Sequence, residues 1–133
     1  MKSFVPQINL VFAWMWIFAG FLSGMVMGFF FDQETWLGGY TSHKRRMYRL
    51  GHISFFGLGA VNFIFYLTAR AIGDNGSLDA LWEFASALFI VGGVTMPLCC
   101  VLMAHETRLR PLFGIPVLSL ISAAVLTIIT ILL

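Results

Sequence analysis

Two histidines are placed where a pair of helices could hold a metal between them. His52 opens one long apolar run and His105 closes another. If those runs are antiparallel neighbours, both imidazoles reach the same membrane depth. Imidazoles from two facing helices can ligate the iron of one haem b, or bind a single metal ion or a quinone. The helical face that carries His52 also carries Phe55, Phe56, Gly59, Asn62, Phe63 and Tyr66, at spacings of three and four. Gly59 would leave room for a flat ring, and Asn62 and Tyr66 would offer it polar contacts. His52, His105, Gly59, Asn62 and Tyr66 are therefore the candidate cofactor-binding residues, with the two histidines as candidate ligands of haem iron. The plainer alternative places each histidine at the headgroup boundary, bonded to water, lipid phosphate or a helix end.

Two weaker constellations accompany this pair. Met96, Cys99, Cys100 and Met103 recur at three- and four-residue spacing, and soft sulfur ligands select Cu(I). The same residue types are also ordinary packing material in an apolar interior. Adjacent Cys99 and Cys100 point about 100° apart on a helix, a geometry that does not bridge them to each other. Arg70 and Glu83 end one apolar run and begin the next, and can pair across the turn between them.

The elements that must position these residues are four apolar runs, at 8–31, 49–72, 80–104 and 112–133. Each exceeds the roughly 18–20 apolar residues that cross a hydrocarbon core about 30 Å thick. The expected fold is all-α: one domain over residues 1–133, an integral membrane four-helix bundle running up-down-up-down on short connectors. Hydrophobic residues make up 59% of the chain and charged residues 11%, which leaves no polar segment long enough for a second core. The first run is too long, uninterrupted from residue 8 to 31, for the 7–15-residue apolar core of a cleavable signal, and reads as a retained span.

Gly38–Gly39 marks a turn in the first loop, where Trp36, Tyr40 and Tyr48 suit an interfacial belt. Ser77 or Asp79 would cap the third helix, and Pro97 would kink it. Lys44, Arg45, Arg46 and Arg49 with Arg108 and Arg110 put six cations on one side, against Lys2 and Arg70 on the other. By the positive-inside rule, loops 32–49 and 105–111 are cytoplasmic and both termini lie outside, in what reads as a bacterial cytoplasmic membrane.

Gly20, Gly24 and Gly28 form a ladder that lets another helix approach closely. That helix belongs either to this chain or to a partner, a homo-oligomer or a larger membrane complex. No basic face with interleaved aromatics points to nucleic acid. No phosphate-binding loop, dinucleotide fingerprint or nucleophile elbow occurs. In having four spans and little else, the chain resembles the small multidrug transporters, but that family uses an acid in the middle of the first span. No acid stands between residues 8 and 31, and the Met-xxx-Met signature of a copper-importing channel is absent. The expected function is a small integral membrane subunit, not an enzyme on its own. It makes haem b or quinone contact for electron transfer near His52 and His105, or it is an accessory scaffold without a cofactor. A small transporter or copper carrier is the remaining reading.

Overall fold

The computed structural model describes residues 5–72 and 78–133. Its long elements are four helices: α1 (Val5–Phe29), α2 (His43–Ile72), α3 (Asp79–His105) and α4 (Gly114–Leu132), with 3-10 turns at Trp36–Gly38 and Thr107–Phe113. With the turn at Thr107 counted into the last, all four are long and apolar enough to cross a membrane. Lys2 and the turn expected at 73–77, Ser77 included, lie outside the described residues. Asp79 is the first residue of α3 rather than its cap, and the cap position, Leu78, makes no side-chain bond.

Helix α2 begins six residues before its apolar run does. Ser42 explains this: its Oγ accepts the Arg45 backbone N–H at 3.1 Å, the bond an N-cap serine makes to the third residue of a helix. The apolar run marks where hydrocarbon begins, whereas the charged first turns of α2 lie before it. The preceding loop is held by Arg45, which is buried at 3% exposure. Its guanidinium donates to the carbonyls of Phe31 at 2.9 Å and Gln33 at 3.1 Å, and lies 4.1 Å from the Tyr40 ring centre. One member of the basic cluster is thus consumed internally. Gly38 and Gly39 form the expected turn at φ 84° and 103°, beside a left-handed Leu37.

Helix α3 is the hub. It packs against α1, α2 and α4, while α4 rests on α3 and makes no comparable contact with α1 or α2. The main apolar cluster joins Phe65 and Ala69 of α2, Trp82, Ala85 and Phe89 of α3, and Ala123 of α4. Along the α1–α2 seam the pairs step in opposite senses: Asn9 meets Asn62, Trp16 meets Phe55, and Ser23 meets His52.

Pro97 lies within α3, which continues through it. A proline has no N–H, so the carbonyl four residues earlier, Gly93, loses its intrahelical donor. Trp16 of α1 supplies one: its Nε1 donates to Gly93 O at 2.9 Å. Glycine makes room there, because a Cβ at 93 would lie 2.6 Å from the Phe12 ring and force it to move, and Phe12 stacks on Trp16 with centroids 4.1 Å apart. In lipid no water can take the orphaned carbonyl, so the indole fills a role the sequence creates.

Trp16→Phe should lower resistance to denaturing detergent by about 1–3 kcal/mol, the cost of a buried acceptor left alone. In a Pro97→Ala background, where the restored backbone N–H returns to Gly93 O, the same change should cost much less. Equal losses in both backgrounds, read as a double-mutant cycle of unfolding in mixed micelles, would show that the bond to Gly93 is not what Trp16 contributes.

Candidate functional site

The structure brings His52 and His105 to the same end of the bundle but gives them to different partners. His105 lies against Tyr48, its Nε2 2.8 Å from the phenol oxygen and the rings edge to face. Tyr48 is one turn before His52 on α2, so the expected common depth is present. His52, however, leans on α1. Its Nδ1 lies 2.8 Å from Ser23 Oγ, and its ring covers Gly24, where a Cβ would meet Cε1 at 2.9 Å.

Ser23 stands between two partners. It has one hydroxyl hydrogen, and its Oγ lies 3.0 Å from the Gly20 carbonyl, which can only accept. The contact engages His52 through Nδ1. Tyr48 engages His105 through Nε2 instead. The two rings therefore do not present like nitrogens in like settings.

The remaining candidates on α2 belong to the interior. Gly59 is covered by α1: a Cβ there would sit 3.1 Å from the Ala13 carbonyl and 3.1 Å from Ile17. Helix packing takes the space a flat ring would need. Asn62 is fully buried and accepts from Asn9 Nδ2 at 2.7 Å. Its own amide donates to Leu58 O at 2.9 Å, and Ser86 donates its hydroxyl to Asn9 Oδ1. One short chain of bonds thus ties α1, α2 and α3. Tyr66 accepts from Arg70 at 2.9 Å. The arginine expected to reach Glu83 is engaged one turn back on its own helix, and Glu83 is exposed.

The sulfur residues also diverge. Cys100 is fully buried facing Gly51 of α2, whereas Cys99 points its thiol at the Leu112 carbonyl before α4, 3.5 Å away. Both are free thiols. Among the described residues no three of His, Cys, Asp and Glu gather as a metal-binding group.

The glycine ladder divides. Gly20 and Gly24 are covered by Phe56 and His52 of α2, and nothing lies within 4 Å of where a Cβ on Gly28 would stand. Asn9, Ser86, Ser23 and Trp16 are the residues that sequence reasoning missed. Asn9 and Trp16 carried a signal: an amide or an indole N–H inside an apolar run needs a partner in lipid. The two serines carried none, since a serine can bond its own helix. The chain matches no family model, no curated protein and no solved structure.

Gly24→Ala should destabilise the protein by about 1–3 kcal/mol through overpacking against His52, while Gly28→Ala should be neutral or slightly stabilising, since alanine is the better helix former. Thermal unfolding in one detergent compares the two. Equal effects would mean that the ladder is not read by His52.

Proposed function

We propose that this chain is a small integral membrane subunit that acts as an accessory or scaffold within a larger membrane assembly and is not an enzyme on its own. It runs up-down-up-down across a bacterial cytoplasmic membrane, with loops 32–49 and 105–111 on the cytoplasmic side. The α1–α2 pairs that step in opposite senses support that arrangement, as does the concentration of cations at the ends of the spans.

One observation carries the scaffold reading. Each buried polar side chain among the described residues, namely Asn9, Arg45, Asn62, Ser86, Ser119 and Thr130, is satisfied by another part of the same chain. An interior built to bind a substrate keeps polar groups aimed at the ligand. This interior spends its polar groups on its own chain, and Asn9, Asn62, Ser86 and Ser119 join one helix to another. What it leaves open is its outer surface: Trp14, Phe18 and Phe21 of α1, and Leu118, Ile121 and Ile128 of α4, are all more than half exposed.

A second reading is electron transfer with haem b or a quinone near His52 and His105. The Ser23–His52 bond favours it, because a partner on one imidazole nitrogen orients the other toward a ligand. His52 and His105 would hold the group, and Gly59, Asn62 and Tyr66 would not touch it, Gly59 and Asn62 being engaged by α1 and Tyr66 by Arg70 of its own helix. A copper carrier gains no support, since Cys99 and Cys100 face different helices.

Purification in mild detergent with haem supplied, followed by a dithionite-reduced minus oxidised spectrum of the same sample, separates the readings. The scaffold reading expects no α-band and a stoichiometric larger membrane partner. A haem b band lost in both His52→Ala and His105→Ala would replace it with the electron-transfer reading. A monodisperse protein with neither chromophore nor partner would overturn both.

A further inference from the structure

A cleft of ≈ 450 Å³ opens at the loop end of the bundle, between the start of α2 and the junction of α3 with the turn that leads to α4. His43, Met47, Met103, Thr107 and Arg110 line it. That volume lies within the range of small-molecule sites, about 300–1,000 Å³. The lining has two halves of different chemistry. Met47 and Met103 are half-buried and form an apolar wall. His43, Thr107 and Arg110 are exposed, and Thr107 and Arg110 supply donors.

The electrostatics of the cleft favour an anion. Arg110 offers a planar fork of N–H groups suited to phosphate oxygens. His43 is the first residue of α2, where the positive end of the helix dipole lies. Its Nε2 donates to the Met103 carbonyl at 3.0 Å, which answers one of the unpaired acceptors at the end of α3. Among the described residues no acid lines the cleft. The nearest acid in sequence, Glu106, turns back on its own chain, its Oε1 accepting the Arg108 N–H at 3.2 Å.

We infer that this cleft holds the headgroup of an anionic phospholipid, its phosphodiester on Arg110 and Thr107 and the root of an acyl chain against Met47 and Met103. The shared chemistry is a phosphate oxyanion, which a free phosphate also has. The lipid is favoured because the cleft sits where the spans end and because a free anion would leave the methionine wall uncovered. Basic clefts between spans at the cytoplasmic rim bind such headgroups. The inference depends on the chain lying in a bilayer and not on its belonging to a larger assembly.

Native mass spectrometry of the intact protein in mild detergent tests it, with phosphatidylglycerol, phosphatidylcholine or inorganic phosphate added. One phosphatidylglycerol should bind more tightly than phosphatidylcholine, and Arg110→Gln should weaken it about tenfold, as loss of a charge-assisted contact implies. Thr107→Val should weaken it by a smaller factor. Arg49→Gln, which alters an exposed cation that does not line the cleft, should leave binding unchanged. Unchanged affinity in both Arg110→Gln and Thr107→Val would overturn the site. So would an equal loss in Arg49→Gln, which would mean diffuse attraction, and so would displacement of the lipid by equimolar inorganic phosphate, which would mean a site for free anions.

Discussion

Hydrocarbon offers no hydrogen bond, and the packing of this protein follows from that constraint. A soluble helix can lose a donor to proline and let water repair the gap. In α3 the gap opened by Pro97 at the Gly93 carbonyl must be closed from within. The Trp16 indole closes it, which fixes the height of α1 against α3 and draws Phe12 onto the bare surface of Gly93. About two turns away along α1 the Asn62–Asn9–Ser86 chain repeats the principle with side chains alone. Each such bond is worth only about 0.6–2 kcal/mol. Their value is positional, because an apolar surface in lipid slides easily and a polar pair has one register.

The same constraint sorts the chain into an interior and a rim. Between the helices, polar groups join one element to the next. At the loop end, water is near and the rules relax, so His43, Tyr48, His52 and His105 gather there with partners across helix boundaries. Arg45 belongs to neither region. Its charge is buried, yet it meets two carbonyls and two aromatic faces instead of an acid. That arrangement closes the first loop and removes one cation from those that can face a lipid headgroup.

The spans were legible because hydrophobic length answers directly to membrane thickness. The start of α2 was not, because Ser42 caps a helix whose first residues are charged, and hydropathy sees charge before it sees structure. The common depth of His52 and His105 followed from where the runs begin and end. Which side of α2 each ring takes did not, since Ser23 on α1 claims one and Tyr48 holds the other, and neither partner has a sequence signature. Gly59 illustrates the same limit. A glycine in a span announces a close approach, but whether a ring or a helix makes it depends on how α1 rotates about its axis. Pro97 was legible as a broken bond, yet its repair by Trp16 needed the structure.

The cover that His52 gives Gly24 and the openness of Gly28 bear on which faces of the bundle are free. A ladder of three glycines on one face would serve an intermolecular contact if that face were free. The first two steps are filled from within by Phe56 and His52, and only the last is open, beside a loop that Arg45 has drawn shut. Association through the whole ladder would therefore require α2 to leave α1, breaking the Ser23–His52 and Asn9–Asn62 bonds in a medium that offers nothing in exchange. Faces that need no such exchange are the outward sides of α1 and α4, which touch each other little and are separated by α3. A partner seated there would add contact without removing any, because α3 holds α1 and α4 apart while leaving both outward faces clear.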